Sequence, residues 1–266
     1  MLKNLKLLSV KEKMKIFKRI KMLRKSGLSY TKIVEKIKTE FDVKISKTTI
    51  IRWCKGQHKP AGYSQINLHP SPEFSYFLGA LIGDGNVRRI IHNYKYETRL
   101  RVQDYDFAKT FAICVSKFLN KKIRIGKERD LTRCGERHLV AIYNKQLWEF
   151  LTSKSIKELI KIGKKFPTEF LRGIFDAEGF VSHKQVGLAN TNLKLLKEVQ
   201  YLLLEIFRIR SKIRLQIKKG KKVRIRGKLY SANKNVYILL LNRKDSKKFA
   251  KNIGFSIKRK QSKLEE

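Results

Sequence analysis

Apolar and polar positions along the 266-residue chain follow one pattern up to about residue 70 and another beyond it. In the first stretch apolar residues recur at helical spacing in three short runs. Met14, Ile16, Phe17, Ile20 and Leu23 share roughly one face of residues 10–25, and Gly27 stops that run. Ser29 is placed to cap a second helix over 30–38, with Ile33, Val34 and Ile37 inward. Ser46 is placed to cap a third over 47–55, with Ile50, Trp53 and Cys54 as its core side. Residues 56–70, GQHKPAGYSQINLHP, carry Gly, Pro, Ser and Asn without periodicity and read as a linker.

Beyond residue 70 the chain is written twice. FLGALIGDG at 77–85 returns 94 residues later as LRGIFDAEG at 171–179, each an apolar nonamer closing on a carboxylate and a glycine. At helical spacing Phe74, Phe77, Leu78 and Leu81 form an apolar stripe, and Ser75, Gly79 and Gly83 a stripe of small residues. Phe170, Leu171, Ile174 and Phe175 repeat the first stripe, Gly173 and Ala177 the second. Pro72 and Pro167 stand where a first helical turn tolerates proline. Small residues four apart let helix backbones approach closely. Two such helices, side by side and parallel, bring Asp84 and Glu178 together where both macrodipoles are negative. Something positive must offset that, and a divalent cation is the simplest candidate.

The rest of each copy repeats as well. In the first, strands over 86–91 and 97–103 precede a helix over 104–119, strands over 122–126 and 136–143, and a helix opening at 146. In the second, strands over 180–183 and 185–189 precede a helix over 192–207, strands over 211–218 and 236–242 about a long basic loop, and a helix over 245–253. VQDYDF at 102–107 echoes LANTNL at 188–193, and YNK at 143–145 echoes LNR at 241–243. The fold class is therefore α+β, with two pseudo-symmetric αββαββα halves at 71–162 and 163–266. A small all-α domain at 1–58 and the linker at 59–70 precede them. An antiparallel sheet packed on helices by one face keeps the other for a ligand.

The repeated motif resembles that of the LAGLIDADG homing endonucleases in their single-chain, two-motif form, over about residues 72–258. The resemblance implies a saddle of two sheets over the DNA major groove, and site-specific double-strand hydrolysis of DNA at a long asymmetric site, leaving staggered ends. It implies that Asp84 and Glu178 are catalytic metal ligands for Mg²⁺, with Mn²⁺ as a substitute, helped by the backbone carbonyls of Gly83 and Ala177. Members often carry a polar or basic residue after the second strand. Gln103 matches in the first half, and Ala189 or Asn190 matches less well in the second. Asp176 has Ile82 as its counterpart and reads as structural. His92 and Asn93 read as a polar loop.

Charge extends the same picture. There are 63 Lys and Arg against 22 Asp and Glu, a formal net charge of +41 spread along the chain. Such a field favours a polyanion and gives salt-dependent affinity. Helix, tight connection and basic helix in the first 60 residues form the pattern of a helix-turn-helix, whose second helix enters the major groove. Lys47, Thr48, Thr49 and Arg52 are its candidate contacts. On the strands the candidates are Arg88, Lys95, Arg99 and Arg101 in the first half. In the second they are Lys184, Gln185, Arg224, Arg226 and Lys228. Arg can take guanine bidentately and Gln adenine.

The expected partner is double-stranded DNA, bound by a monomer with no membrane involved. There is no apolar run of membrane-spanning length and no secretory signal pattern. Three widely spaced cysteines, Cys54, Cys114 and Cys134, favour a reducing compartment, and hence the cytoplasm. Cys54 and His58 are half of a zinc pair without a second half. Two other readings share the fold. One is a non-cleaving DNA-binding regulator or intron maturase, the latter with RNA as partner; it should show altered motif acids, and both are present. The other is an endonuclease embedded in an intein.

Overall fold

The computed structural model describes residues 2–60, 62–64, 66–91, 95–130, 135–225 and 227–265. The chain opens with a two-residue strand β1 (Lys3–Asn4), a 3-10 turn, and the helices α1 (Val10–Lys25) and α2 (Tyr30–Phe41). Strand β2 (Val43–Lys44) then pairs parallel with β1 and leads into α3 (Lys47–Cys54). Ser9 starts α1 with a reciprocal cap: its Oγ accepts from Glu12 N, and its own N–H donates to Glu12 Oε2. Ser29 and Ser46 cap α2 and α3 through Lys32 N and Thr49 N. The three apolar faces close on Ile16, Ile20, Ile33, Ile37, Ile50 and Trp53. Phe17 meets the Trp53 indole edge-on at 5.5 Å. The second helix runs three residues past the expected stop, ending where Asp42 turns left-handed at φ 53°.

The first repeat holds α4 (Pro72–Asp84), β3 (Gly85–Ile90), β4 (Lys95–Val102), α5 (Tyr105–Leu119), β5 (Gly126–Asp130), β6 (Gly135–Tyr143), α6 (Lys145–Thr152) and α7 (Ile156–Gly163). The second holds α8 (Pro167–Glu178), β7 (Gly179–Ser182), β8 (Gln185–Asn190), α9 (Leu193–Phe207), β9 (Ser211–Ile217), β10 (Lys222–Ile225), β11 (Lys228–Ser231), β12 (Val236–Leu241), α10 (Arg243–Asn252) and α11 (Lys258–Glu265). The sheets are ordered β3-β4-β6-β5 and β7-β8-β12-β9, the same spatial order twice. This is the α+β fold expected from the repeat.

Four local expectations change. The strand placed over 122–126 forms instead over Gly126–Asp130, because β6 pairs its Gly135–Leu139 stretch with those residues. The long basic loop contains the hairpin β10–β11, with Arg224 opposite Leu229 and Gly227 at φ 80° in the turn. The first half ends in two helices, since Ser155 and Glu158 form a second reciprocal cap after α6. Finally, α11 follows α10 where no helix was expected.

Contacts divide the chain into two compact units. The first joins Met1–Gln65 with Val87–Glu97 and Tyr143–Ser153. Within it the helical domain is fastened to α6. Val10 N donates to Glu149, and Lys145 Nζ donates to Leu8 O at 2.8 Å. The segment read as a linker is tied down at Ser64, whose Oγ accepts from Asn144 Nδ2 and whose N–H donates to Gln146 Oε1. The second unit holds Ile66–Asn86, Thr98–Ile142 and Lys154–Glu266. Its centre is α4 against α8. Phe74 and Phe77 pack on Phe118 of α5, and Phe175 packs on Phe249 of α10 at 4.7 Å.

Candidate active site

The glycines fix where the two acids stand. A Cβ on Gly79 would lie 2.2 Å from Phe170 O, and one on Gly173 would lie 2.3 Å from Tyr76 O. A Cβ on Gly83 would lie 2.4 Å from Ala177 Cβ and 3.1 Å from Glu178 Cγ. Ascending positions on α4 meet ascending positions on α8, so the helices run parallel in backbone contact. Their C-terminal residues, Asp84 and Glu178, arrive together. The glycine after each acid has an ordinary φ but no room: a Cβ on Gly85 would sit 2.3 Å from Leu81 Cδ1, and one on Gly179 would sit 2.3 Å from Phe175 O. Each chain passes straight from helix into strand, which only glycine permits here.

Two carboxylates therefore share the negative ends of two helices. Burial raises the Asp84 carboxyl above its ordinary range, while Lys260 and Arg137 pull it back. Glu178 is pushed up to about 7, first by burial and then by the charge of Asp84, with Lys260 and Asn190 opposing. Asn190 Nδ2 donates to Glu178 Oε1 at 3.0 Å, so of the pair Ala189 and Asn190 it is Asn190 that touches the acid. Gln103 occupies the matching place after β4, in an exposed bend. Asp176 is buried and structural, accepting from Tyr76 OH at 2.7 Å, Ser256 Oγ at 2.6 Å and Ser256 N at 2.9 Å.

This site fits a hard divalent cation. Its donors are carboxylate oxygens and the carbonyls of last helical turns, which have no partner within their helix. Among the described residues no group of three or more His, Cys, Asp or Glu gathers to hold a metal alone. A cation here needs oxygens from outside the side chains as well. Cys54 is half-buried and Cys114 buried, while Cys134, His92 and Asn93 lie outside the described residues. No helix among the described residues is long and apolar enough to cross a membrane.

The strands of each half present alternating faces. Thr98, Leu100 and Val102 of β4 are buried, while Arg99 and Arg101 point the other way and stay partly open. Arg101 Nε pairs with Glu128 Oε2 at 2.8 Å. Arg88 is exposed and paired to the buried Glu97, and Lys95 Nζ stands over the Tyr143 ring. Lys184 is exposed in the β7–β8 turn at φ 58°, and Arg224 is exposed on β10. Gln185 is half-buried and spends a side-chain N–H on Leu241 O at 2.6 Å. Lys47, Thr48 and Arg52 all lie exposed on α3. Arg226 and the side chain of Lys228 lie outside the described residues. Sequence reasoning did not single out Lys260 or Arg137. Arg137 has the outward alternation of β6 as its signal, and Lys260 has none, since its helix is polar all round.

Residues 165–254 match the profile of a LAGLIDADG-like domain. Over nearly the whole of both chains the sequence is 40% identical to the uncharacterized protein MJ0398 of Methanocaldococcus jannaschii, covering 98% of this chain and 96% of that one. The fold is similar to that of I-DmoI in complex with DNA and calcium, at TM-score 0.53 and 20% identity, over 73% of this chain and 97% of the other. It is also similar to the homing endonuclease I-WcaI bound to its DNA recognition sequence, at TM-score 0.51 and 11% identity, over 81% and 92%.

Proposed function

We propose that this chain, which belongs to the LAGLIDADG family, is a site-specific endonuclease that hydrolyses both strands of DNA with a divalent cation, Mg²⁺ or Mn²⁺. The observation that carries the reading is the acid pair. Two carboxylates from duplicated helices stand together, and burial first, then the charge of Asp84, pushes Glu178 up to about 7. A protein gains nothing in stability from that arrangement, so the pair reads as a site kept for chemistry. I-DmoI, in its complex with DNA and calcium, shares this fold, and DNA is the partner expected of a chain at +41.

Asp84 and Glu178 would hold the cation through their carboxylates, with the carbonyls of Gly83 and Ala177 beside them. When bound, it supplies charge neutralisation at the phosphate and activates water. Asn190 keeps the Glu178 carboxylate turned toward the site, and Gln103 offers an amide to orient water in the other half. Arg99 and Arg101 are placed to contact DNA from the outward face of β4. Arg88, Lys95, Lys184 and Arg224 extend the basic surface, and Lys47, Thr48 and Arg52 add a recognition helix. Most of these contacts go to phosphates rather than bases. The chain acts as a monomer on an asymmetric target, since its halves differ in sequence, and cuts with a stagger.

The test is cleavage of a randomised duplex library in Mg²⁺ with ends mapped, first with the parent protein. Asp84→Asn and Glu178→Gln should each abolish double-strand cutting while DNA binding stays within a few-fold. Full cutting by either variant would overturn the assignment of the site.

A further inference from the structure

The helix after the second strand is 15 residues long in both halves, α5 in the first and α9 in the second. Counted from their first residues, the two bury matching inner positions but finish differently. Phe118, fourteenth in α5, is buried against Phe74 and Phe77. Ile206, fourteenth in α9, is 48% exposed, and Tyr201 and Leu204 just before it are 57% and 43% exposed. Three large apolar side chains open within two turns form a patch rather than scattered residues. By its other side α9 packs on β8, β9 and β12. The patch therefore lies on the covered side of that sheet, away from the face that the nuclease reading gives to DNA.

The first turns of α9 meet α7 across a cleft of about 660 Å³. Its floor is aliphatic, made by the buried Ile160 and Leu195, with the exposed Ile156 at the mouth. Its rim is cationic: Lys157, Lys161 and Lys164 stand on the α7 side, Lys194 and Lys197 on the α9 side, all exposed. None of these five ammonium groups has an ion-pair or hydrogen-bond partner among the described residues. Of the two carboxylates on the rim, Glu158 is occupied by the Ser155 cap. Floor and rim make two demands on a ligand: anionic groups for the lysines, and aliphatic side chains for the floor and the open end of α9. Nucleic acid meets only the first. Its bases stack on aromatic rings, and Tyr201 is the one ring in this set. We propose that α7 and α9 form a docking surface for an acidic amphipathic helix of a partner protein. The partner lies along α9 with its apolar stripe inward and its carboxylates on the lysines. Lys194 to Leu204 spans about 15 Å, so about three turns of partner helix cover it. This inference goes beyond the nuclease reading and does not depend on it.

The test uses the full chain at about 0.15 M salt, where long-range attraction is screened. The probes are two fluorescent peptides of leucine and glutamate, identical in composition and about 15 residues long, enough for four helical turns. In one the leucines recur at helical spacing; in the other they are scrambled, so the charge is equal and the stripe is gone. The striped peptide should bind about tenfold more tightly than its scramble, as an anchored apolar contact requires. Tyr201→Ser/Leu204→Ser should remove that advantage at unchanged Tm, since both side chains are exposed. Ile156→Ser should remove part of it. Lys157→Gln/Lys161→Gln/Lys194→Gln should weaken the striped peptide several-fold more than Lys18→Gln/Lys25→Gln/Lys38→Gln, a set equally exposed on α1 and α2. Equal binding of the two peptides, or equal losses from the two lysine sets, overturns the proposal and leaves only the general field of the chain. Two other outcomes overturn it as well. One is a single-stranded RNA that displaces the striped peptide and is itself weakened by Tyr201→Ser/Leu204→Ser, which would make the face a nucleic-acid site. The other is sedimentation of the parent as a dimer that the same double variant dissociates, which would make the face a contact between copies of this chain.

Discussion

Replacing Gly173 by alanine tests the helix contact that places both acids. The new methyl would start 2.3 Å from Tyr76 O and 2.8 Å from Ala80 N. A carbon and a carbonyl oxygen rest at about 3.3 Å, so relief needs about 1 Å of movement between backbones. Neither helix can retreat freely. Phe74 and Phe77 of α4 are seated against Phe118, and Phe175 of α8 against Phe249. Overpacking of this kind costs about 1–3 kcal/mol. For a chain of this size that is a Tm loss of about 2–12 °C. The same 1 Å separates the acid tips, and misplacement on that scale costs about a hundredfold in rate. Gly173→Ala should therefore bind DNA nearly as the parent does but cut about a hundredfold more slowly in single-turnover assays, well below its melting point. Gly126→Ala is the control, since its Cβ would meet nothing closer than Leu139 O at 3.7 Å. Parent-like Tm and cutting rate in Gly173→Ala would show that the helices are not in contact at this point.

Two further outcomes follow from the charges. Glu178 is raised from 4.5 to about 7 in the folded chain, so the folded state holds its proton more tightly than the unfolded state. Its contribution to metal-free stability is greatest on the acid side and is lost as pH rises through about 7, so Tm should decline over that window. Glu178→Gln should flatten the decline, and a profile identical to the parent's would refute the assignment. On α3, Lys47→Ala and Arg52→Ala should leave Tm unchanged because both side chains are exposed. Each lost phosphate contact should lower the slope of log affinity against log salt by about 0.9. Parent affinity and slope in both would remove this helix from the interface. Point variants are the right probe, because deleting the helical domain would strip α6 of its bonds to Val10 and Leu8.

The duplicated helices were readable because one constraint wrote them twice. Close parallel packing forces small residues at Gly79, Gly83 and Gly173, and the abrupt helix-to-strand passage forces Gly85 and Gly179. Such requirements act on single positions and survive as pattern. The strand β5 was misplaced because Ile123 and Ile125 alternate as a strand would, while what decides the pairing is the partner stretch Gly135–Leu139, which lies outside that local pattern. The helix α11 left no trace because it is held by ions and carbonyls rather than by an apolar stripe, and periodicity senses only the latter. Lys260 was invisible for the same reason, being a lysine among many lysines until the fold buries it. Asn190 was half legible: its place after the second strand was readable, its bond to Glu178 was not.

The two charge scales of the protein pull in opposite directions. A net +41 raises the potential everywhere and disfavours a free divalent cation. The acid pair must capture the cation locally against that field, with Glu178 still partly protonated near pH 7. DNA changes each of these terms. Its phosphates cancel the long-range field and add oxygens that the protein's own donor set lacks, and the cation they help to hold would draw the proton off Glu178. Under the proposed function, cation and DNA must therefore strengthen each other's binding, and by linkage each does so by the same factor. An acid pair this poorly matched to a cation on its own becomes well matched only over a phosphodiester, which keeps hydrolysis tied to bound target.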